Sequence, residues 1–456
     1  MDIKGKNVLV FGSGISGIAA SRLLLKEGAD VVLYDGNEKL KPEKIREEIL
    51  GDVSGEVTGN VQVVLGELPK DVLDVICLTV MSPGVPTDLP VVNRMKEKKI
   101  PIWGEIELAY TYGKGDVLAI TGTNGKTTTT ALLGEIMKAY KEHVYVVGNI
   151  GNPYTSVALT QPEDSVTVAE MSSFQLETVH TFAPKISAVL NISPDHLNRH
   201  HTMEAYIDAK KNIAKNQTAE NTCVLNYEDE VTRGFGENLT AEVLYFSSQH
   251  KLERGIYLED GDIIYQVGKP VKVCSVNELK LLGIHNYENV MAAVAMAAAY
   301  GVPMESIRKS ICAFQGVEHR IEFVAEKNGV AYYNDSKGTN PDAAIKGIRA
   351  MNRPTLLIGG GYDKDSSYGE WIDAFDGKVK KLVLIGATRG KIAKEAREHG
   401  FEAIVFADTF EEAVQICVDH AEAGDAVLLS PACASWGMFS NYEERGDKFK
   451  ELVNQL

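Results

Sequence analysis

The segment Thr121–Thr128, with the sequence Thr-Gly-Thr-Asn-Gly-Lys-Thr-Thr, constrains the fold of this chain more than any other. It follows an apolar run of strand type, Val117–Ile120, and it opens a pattern of apolar residues at helical spacing. Glycines between a strand and a helix let backbone N–H groups turn toward phosphate oxygens, and the helix N-terminus adds positive potential. The segment therefore predicts a triphosphate-binding loop in which Lys126 reaches the outer phosphates and the Thr127 hydroxyl ligates Mg²⁺.

The match to the strict phosphate-loop pattern, G-x-x-x-x-G-K-[ST], is incomplete at one position. The pattern requires glycine where this chain has Ile120. A glycine turn followed by a surface lysine is therefore the alternative interpretation. The strand before the loop and the helical pattern after it favour the phosphate site.

The size and charge of the chain argue against some classes of function. Its 456 residues predict two to four domains, at roughly 150 residues each. The hydrophobic content of 44% and the charged content of 24% are typical of a globular protein. The formal net charge of −16 argues against nucleic acid or an anionic membrane as the main partner. It does not argue against an anionic small substrate, because lysines and Mg²⁺ can reverse the sign of charge inside a cleft.

The cysteines and the N-terminus indicate the compartment. Six cysteines are scattered without a C-x-x-C pair, which favours reduced thiols over a disulfide framework or a zinc site. The N-terminus carries no signal-peptide pattern, and no apolar run is long enough to span a bilayer. We therefore expect a cytoplasmic protein.

Strand-type and helical segments alternate along the chain in three blocks, which predicts an α/β fold with parallel sheets. The first block ends at a link that contains Pro and Gly, Ile100–Gly104, and the third block begins near Gly316. The polar stretch Asp52–Asn60 is predicted to be a loop. The predicted strands are Asn7–Phe11, Val31–Tyr34, Val75–Leu78, Val117–Ile120, Val166–Glu170, Ile186–Leu190, Thr355–Ile358, Leu382–Ile385, Ile404–Phe406 and Ala426–Leu429.

A second glycine motif follows the first strand. Gly12, Gly14 and Gly17 have the G-x-G-x-x-G spacing, and Asp35 ends the second predicted strand. This is the dinucleotide fingerprint in spacing and context, so NAD(P) is one interpretation. Another nucleotide-like ligand is the alternative, because any such ligand can use a helix N-terminus and a carboxylate that binds ribose. The segment Ser82–Pro86 follows the third predicted strand, at the end of the sheet where ligands bind.

Two candidate metal ligands follow strands of the second block. Glu170 ends one strand, where its carboxylate could hold Mg²⁺ beside the phosphate loop. Asp195 and His196 are predicted to end another strand, and the imidazole could bind a metal or a phosphate. A surface glutamate and a structural histidine are the alternatives.

Lys210 lies on a mainly apolar stripe of a helix predicted from Met203 to Lys215, with Tyr206, Ala209 and Ile213 on the same face. Burial lowers the pKa of an amine, and a neutral amine can react with CO₂ to form a carbamate. A carbamate is an anionic oxygen ligand suited to Mg²⁺. The alternative is a lysine that extends along the apolar surface to reach water.

Four polar clusters of the third block follow predicted strands or turns, where loop residues can converge on one cleft. They are His319-Arg320, Asn334–Asn340, Gly359–Lys364 and Ser430–Trp436.

Together these motifs resemble those of the Mur ligase family of ATP-dependent amide ligases, over essentially the whole chain. Three of them resemble the members that add D-glutamate: Asp335–Asn340, Ser172–Leu176 and Ser430–Ser435. The missing glycine at Ile120 is shared with the family, whereas Trp436 stands where many relatives have leucine. The remaining motifs that carry the resemblance are Ser82–Gly84, Gly122–Thr128, Glu170-Met171, Asp195-His196, Tyr206 with Lys210, His285-Asn286 and His319-Arg320.

The resemblance implies an α/β protein of three domains. A Rossmann-like N-terminal domain (1–102) would hold UDP rather than NAD. A central P-loop-type ATPase domain (103–314) would follow, and a Rossmann-like α/β C-terminal domain (315–456) would close over the site.

The resemblance also implies the ligands and the chemistry. ATP and two Mg²⁺ ions would activate UDP-N-acetylmuramoyl-L-alanine as an acyl phosphate, and D-glutamate would attack it. The catalytic residues implied are Lys126, Glu170, His196 and Lys210, and Mg²⁺ would be held by Thr127, Glu170, His196 and carbamylated Lys210. We expect a monomer that acts on small molecules, without a nucleic-acid or membrane partner.

The binding residues implied fall into three sets. Those for the UDP substrate are Ile15, Ser16, Asp35, Gly84, Asn149 and His196. Those for ATP are Gly122, Thr123, Asn124, Gly125, Lys126, Thr127, Thr128, Asn286, Arg320, Asp335 and Lys337. Those for D-glutamate are Thr339, Lys364, Ser435 and Tyr442. Two alternative functions remain: a related ligase that adds L-glutamate to folate, and an oxidoreductase that binds NAD(P) at Gly12–Gly17.

Overall fold

The computed structural model of the chain describes residues 2–51 and 59–456. Most of the loop predicted at Asp52–Asn60 therefore lies outside the described residues. The chain divides into two compact units, Met1–Val273 with Glu288–Ser310 and Cys274–Tyr287 with Ile311–Leu456. No helix in the described ranges is long and apolar enough to cross a membrane. The six cysteines lie within the described residues and form no disulfide there.

The first sheet has five parallel strands. Its elements, with the helix that follows it, are β1 (Asn7–Phe11), α1 (Ile15–Lys26), β2 (Asp30–Asp35), α2 (Pro42–Gly51), β3 (Val61–Leu65), α3 (Val72–Val75), β4 (Ile76–Met81), α4 (Pro90–Glu97), β5 (Ile102–Gly104) and α5 (Glu105–Tyr112). The strand order is β3-β2-β1-β4-β5. The order reverses beside β1, so the carboxyl ends of β1 and β4 frame the crevice where sheets of this kind bind ligands.

The second sheet has nine strands and carries the phosphate loop. Its elements, with the helices that follow it, are β6 (Asp116–Thr121), α6 (Lys126–Lys138), β7 (Val144–Gly148), β8 (Val166–Glu170), α7 (Ser173–Leu176), β9 (Ile186–Val189), α8 (Leu197–His200), α9 (Met203–Lys211), β10 (Thr222–Asn226), α10 (Glu230–Gly236), β11 (Glu242–Ser247), β12 (Gly255–Glu259), β13 (Asp262–Val267), β14 (Lys269–Ser275), α11 (Ile284–Tyr300) and α12 (Met304–Ala313). The order is β14-β13-β12-β11-β10-β9-β6-β8-β7. Because β8 and β9 run parallel to β6 on either side, the segments that follow these three strands meet at one edge.

The third sheet has six strands and belongs to the second unit. Its elements are β15 (Glu322–Lys327), β16 (Val330–Asn334), α13 (Pro341–Ala350), β17 (Thr355–Gly361), α14 (Gly369–Asp373), β18 (Val379–Gly386), α15 (Arg389–Glu398), β19 (Ile404–Phe406), α16 (Phe410–His420), β20 (Ala426–Leu429) and α17 (Tyr442–Asn454). The order is β15-β16-β20-β17-β18-β19, with β15 antiparallel to β16 and the other pairs parallel.

The predicted α/β class is confirmed, and each predicted strand is present with small shifts at its ends. The strand predicted from Val75 begins at Ile76, because Val75 ends the helical turn α3. The Ser82–Pro86 turn follows the fourth strand and not the third, since β3 precedes β4. The predicted domain boundaries remain predictions, and the first of them falls within β5.

The helix predicted from Met203 to Lys215 ends earlier, at Lys211. A 3₁₀ turn follows it, where Asn212 donates from its side-chain amide to the Leu176 carbonyl at 3.1 Å. Lys215 donates to the Val179 carbonyl at 2.5 Å. These bonds tie the end of the predicted helix to the segment after α7, and the regular α-helical ladder stops there.

A fully buried carboxylate on α5 anchors the segment that leads into β9. Glu107 accepts hydrogen bonds from the backbone N–H groups of His180, Thr181 and Phe182 at 2.8, 2.7 and 3.2 Å. The Thr181 hydroxyl donates a further bond at 2.5 Å. A carboxylate suits this place because it only accepts hydrogen bonds and all four partners donate.

Replacing this carboxylate by an amide should weaken the fold. In Glu107→Gln an N–H group would face N–H donors, and we expect a loss of about 1–3 kcal/mol in the free energy of unfolding. The measurement is the urea midpoint followed by circular dichroism. Glu135→Gln is the control, because Glu135 is half exposed and pairs with Lys138 on the surface of α6. Equal midpoints for the two variants would contradict the anchoring role.

Candidate active site

The predicted phosphate loop lies between β6 and α6, as the sequence indicates. Gly125 occupies the position before the first helical residue with φ +85°. A Cβ atom there would lie 2.1 Å from Oδ1 of Asn289 on α11, so only glycine allows this approach. The backbone N–H groups of Thr123 and Asn124 donate to the carbonyl and side-chain oxygens of Asn191, at 2.9 and 2.8 Å. The loop is thereby held in a defined shape.

Two lysines donate to a single carbonyl oxygen of this loop. Nζ of Lys126 lies 2.9 Å from the Gly122 oxygen and 2.9 Å from the Thr123 oxygen. Nζ of Lys210, on α9, lies 2.7 Å from the same Gly122 oxygen. The sequence places these lysines 84 positions apart (126 to 210), and the fold brings both to the phosphate loop.

Lys210 is buried and does not extend to solvent. Only 2% of it is exposed, and Tyr206, Ala209 and Ile213 of the predicted stripe are buried with it. Burial and, to a smaller extent, the Lys126 ammonium lower the pKa of Lys210 to about 7, although Asp195 opposes the shift. A large fraction of the amine is therefore neutral near pH 7. Lys211, the adjacent residue, lies over the Phe235 ring instead, at 5.5 Å.

Glu170 is buried at the end of β8, beside the phosphate loop. It pairs in register with Ile120 of β6, and the Thr121 hydroxyl donates to the Met171 carbonyl at 2.8 Å. Oε1 of Glu170 accepts a bond from the Asn149 amide at 2.7 Å, whereas its buried Oε2 has no hydrogen-bond partner. A buried carboxylate oxygen without a partner is costly unless a cation or donor reaches it.

This free oxygen fits a Mg²⁺ site that is completed by a nucleotide. In the described part of the chain, no group of three or more His, Cys, Asp or Glu side chains is placed to hold a metal. Mg²⁺ in phosphate sites takes one or two carboxylates and fills its other positions with phosphate oxygens and water. The Glu170 carboxylate and the loop hydroxyls are donors of that kind.

The position predicted for His196 was wrong in one respect. Strand β9 ends at Val189, and His196 lies in the loop that precedes α8, with φ +52°. The strand stops because the next residues turn toward other partners: Ile192 donates to Asp229 at 2.7 Å, and Ser193 donates to the Thr123 hydroxyl at 3.0 Å. The His196 ring is half exposed and packs against Phe174, with centroids 4.9 Å apart.

The three glycines of the motif after β1 differ in their surroundings: two are closely packed and one has open space around it. A Cβ atom on Gly17 would lie 1.8 Å from the Gly12 carbonyl, and one on Gly12 would lie 2.8 Å from the Ser82 side chain. Gly14 precedes α1 with open space around it. The two outer glycines therefore allow the strand, the helix and the Ser82 loop to pack closely, and the middle one leaves the helix N-terminus accessible to a ligand.

The other residues predicted for the UDP substrate surround this helix N-terminus. Asp35 ends β2 and accepts bonds from the backbone N–H and hydroxyl of Ser13 at 2.9 and 2.6 Å. Burial acts to raise the pKa of Asp35, but bonds from Ser13 and Asn37 hold it below its usual value. Ile15 is 75% exposed in the first turn of α1. Ser16 beside it is half buried, and Gly84 is exposed after β4.

Most of the predicted residues of the second unit lie on the segments that follow β16, β17 and β20. Asp335 is buried and accepts a bond from the Ser430 hydroxyl at 2.6 Å. Burial raises the pKa of Asp335 to about 7, against the effect of that bond and of Arg320. The Lys337 ammonium lies 5.4 Å from the Tyr442 ring centroid, and the Lys364 ammonium lies 4.9 Å from that of Trp436.

The remaining predicted residues of this unit vary in exposure. Ser435 is buried, Thr339 is half buried, and Arg320 is exposed. Asn286 donates its side-chain amide to the Leu282 carbonyl at 2.8 Å.

Two residues near these sites were missed by the sequence analysis. Asn289 packs against Gly125 of the phosphate loop, one helical turn after the predicted Asn286. Arg445 is buried on α17 and donates to the Ser336 side chain at 2.9 Å, to the Ser336 carbonyl at 2.8 Å and to the Cys433 carbonyl at 3.2 Å. It therefore ties the Asp335 loop to the Ser430 loop. The sequence signal for both residues was their spacing on one helix face. Asn289 follows Asn286 by three residues, and Arg445 follows Tyr442 by three residues.

A side chain at Gly125 should impair nucleotide binding. In Gly125→Ala, the methyl group would clash with Asn289 and force a positive φ on alanine, so we expect ATP affinity to fall by about tenfold or more. Isothermal titration with an ATP analogue measures this. Gly234→Ala is the matched control, because Gly234 is a helical residue of α10 with open space around it. Unchanged affinity in Gly125→Ala would contradict the role of this loop.

Three family models match the chain in succession. The Mur ligase MurD-like N-terminal domain matches residues 6–104, the Mur ligase middle domain matches 120–297, and the Mur ligase glutamate ligase domain matches 319–433. A solved structure with a similar fold is a MurF ligase from Thermotoga maritima in complex with ADP, at a TM-score of 0.54 and 16% identity. That similarity covers 100% of this chain and 97% of the other.

Curated relatives match the chain over its full length. A UDP-N-acetylmuramoylalanine–D-glutamate ligase from Lachnoclostridium phytofermentans is 57% identical over 100% of this chain and 99% of its own length. The enzyme of the same description from Lachnospira eligens is 56% identical over 100% of both chains. The family predicted from the motifs and its three-domain α/β architecture are thus confirmed, and the chain belongs to the Mur ligase family.

Proposed function

We propose that this chain is the ATP-dependent ligase that adds D-glutamate to UDP-N-acetylmuramoyl-L-alanine, a step in the synthesis of peptidoglycan precursors. Full-length relatives at 57% and 56% identity carry this activity in their names. The observation of the structure that carries the proposal is the convergence of Lys126 and Lys210 on the Gly122 carbonyl. A cation and a modifiable amine stand there at a loop built for phosphate.

The reaction proceeds in two steps. The terminal carboxylate of the UDP substrate attacks the γ-phosphorus of ATP, and the bond to the bridging oxygen breaks to give an acyl phosphate and ADP. The amine of D-glutamate then attacks the acyl carbon, phosphate leaves, and the amine loses a proton. Two anions must meet in the first step, so charge neutralisation at the phosphates lowers its barrier. The Lys126 ammonium supplies part of that charge.

Lys210 acts in this proposal as a carbamate. Its neutral amine attacks CO₂ and loses one proton, which converts a buried base into an anion with two oxygen atoms. Mg²⁺ would be held by this carbamate with Thr127, Glu170 and His196, and two such ions would neutralise charge on the transferring phosphate. The unpartnered Oε2 of Glu170 supports this donor set.

The remaining site residues divide among the three ligands. In this proposal the UDP substrate is bound by Ile15, Ser16, Asp35, Gly84, Asn149 and His196. ATP is bound by the Gly122–Thr128 loop together with Asn286, Arg320, Asp335 and Lys337. D-glutamate is bound by Thr339, Lys364, Ser435 and Tyr442. The Lys364 ammonium suits its side-chain carboxylate. The three ligands would belong mainly to the domains 1–102, 103–314 and 315–456 in this order.

The alternatives receive less support from the site. An NAD(P) oxidoreductase would use Gly12–Gly17 but leaves the phosphate loop and Lys210 without a role. A ligase that adds L-glutamate to folate shares the phosphate loop, but the full-length relatives act on another acceptor by name. We further propose that the protein is a cytoplasmic monomer that needs neither nucleic acid nor membrane.

Phosphate release should depend on D-glutamate. With ATP, Mg²⁺ and UDP-N-acetylmuramoyl-L-alanine present, we expect D-glutamate to support turnover at least about a hundredfold better than L-glutamate or L-lysine, since the acceptor site is built around one stereoisomer. A coupled phosphate assay measures this. Equal turnover with L-glutamate would refute the acceptor, and saturable NADH binding in place of turnover would favour the oxidoreductase.

Loss of the Lys210 amine should be repairable by a small carboxylate. Lys210→Ala should lose about a hundredfold or more in kcat because the anionic ligand is gone, and added acetate should restore part of it. In the wild type, bicarbonate should activate more strongly as the pH rises through 7, because the amine becomes neutral there. Lys211→Ala is the control, since Lys211 is adjacent in sequence but lies outside the buried stripe, over the Phe235 ring. Full activity in Lys210→Ala would reject the carbamate.

A further inference from the structure

Two exposed aromatic rings stand beside Lys364 in the second unit. Trp436 is 53% exposed and Tyr362 is 46% exposed, and their centroids lie 5.5 Å apart in an edge-to-face arrangement. The Lys364 ammonium lies 4.9 Å from the Trp436 ring centroid. Large aromatic side chains normally bury most of their surface. Core packing therefore does not explain an exposed aromatic pair with a cation over one ring.

The two loops that carry these residues are joined by their backbones. The N–H of Tyr362 donates to the Ala434 carbonyl at 2.9 Å, and the N–H of Gly360 donates to the Pro431 carbonyl at 2.8 Å. A Cβ atom on Gly361 would lie 2.4 Å from the Ala434 oxygen, so glycine allows this close approach. The backbone segments that lead to Lys364 and to Trp436 are therefore held side by side.

The ring is the partner of the Lys364 ammonium among the described residues. Asp363, the adjacent carboxylate, pairs instead with Lys391 of α15 at 3.4 Å. A contact with an aromatic face restricts the lysine side chain electrostatically and uses none of its three N–H donors in a conventional hydrogen bond. The ammonium is thus oriented but remains able to bind an anion.

We propose that Trp436 is a positioning residue that holds the Lys364 ammonium for the side-chain carboxylate of the amino-acid acceptor. This inference rests on the proposed function, which assigns Lys364 to D-glutamate. A flexible lysine at the surface would lose rotamer freedom each time it bound the acceptor. The indole ring restricts it beforehand, so the gain appears in acceptor affinity and not in the phosphoryl-transfer step.

The first test separates acceptor binding from chemistry. Trp436→Leu should raise the KM for D-glutamate by about two- to fivefold, the range expected for one exposed cation–π contact. We expect kcat and the KM for ATP to stay unchanged, and Trp436→Phe to keep most of the affinity because it keeps an aromatic face. Phe406→Leu is the matched control, since Phe406 is also an exposed aromatic residue, at 44%, and lies in β19 of the same unit.

The outcomes distinguish this inference from the proposed function. Wild-type protein that fails to turn over D-glutamate refutes the proposed function. A wild type that does turn it over, with Trp436→Leu at an unchanged KM for D-glutamate, refutes the positioning role alone. The positioning role would also be refuted if Phe406→Leu raised the KM for D-glutamate as much as Trp436→Leu does. A parallel rise in the KM values of all substrates in Trp436→Leu would refute it as well.

A double-mutant cycle tests whether Trp436 acts through Lys364. In a Lys364→Met background, Trp436→Leu should cause no further rise in the KM for D-glutamate, because the cation is already gone. A rise as large as in the wild-type background would show that the indole acts on its own and would overturn the inference. Thermal unfolding of each variant identifies any loss of folded protein, which an exposed side chain should not cause.

Discussion

The carbonyl oxygen of Gly122 accepts hydrogen bonds from both Lys126 and Lys210, and the candidate site depends on this arrangement. Burial of Lys210 and the neighbouring Lys126 ammonium together lower the pKa of Lys210 to about 7, although Asp195 opposes the shift. In the proposed mechanism, Lys126 is the cation that contacts phosphate and Lys210 is the amine that reacts with CO₂. A single carbonyl oxygen of the phosphate loop holds both side chains.

The second sheet positions a buried carboxylate beside the phosphate loop. Because β6 and β8 are adjacent and parallel, Glu170 comes level with Ile120 at the edge where the phosphate loop begins. Its Oε1 accepts a hydrogen bond from Asn149, and its buried Oε2 has no hydrogen-bond partner. The residues that we propose for selection of the amino acid lie in the second unit, where the Lys364 ammonium lies over the Trp436 ring.

Much of the fold and of the candidate site could be predicted from the sequence, because the sequence patterns that indicate them lie within single structural elements. The phosphate loop, the glycine motif and the apolar stripe through Lys210 depend on spacing within one strand, turn or helix, and the structure contains each of them. The loop that carries His196 could not be predicted in this way. Its path depends on bonds from Ile192 to Asp229 and from Ser193 to Thr123, which join segments distant in sequence. Spacing from Tyr442 places Arg445 on the same helix face, but its partners follow two other strands, so its role in joining the two loops could not be predicted.

The proposed carbamate requires that the buried Lys210 amine reacts with CO₂ and that the adjacent Lys211 does not. Carbon NMR of the whole protein in isotopically labelled bicarbonate tests it directly. We predict one carbamate carbonyl signal that grows as the pH rises through 7, is absent in Lys210→Ala and persists in Lys211→Ala. A spectrum without a carbamate signal above pH 7, or a signal that persists in Lys210→Ala, would contradict the account.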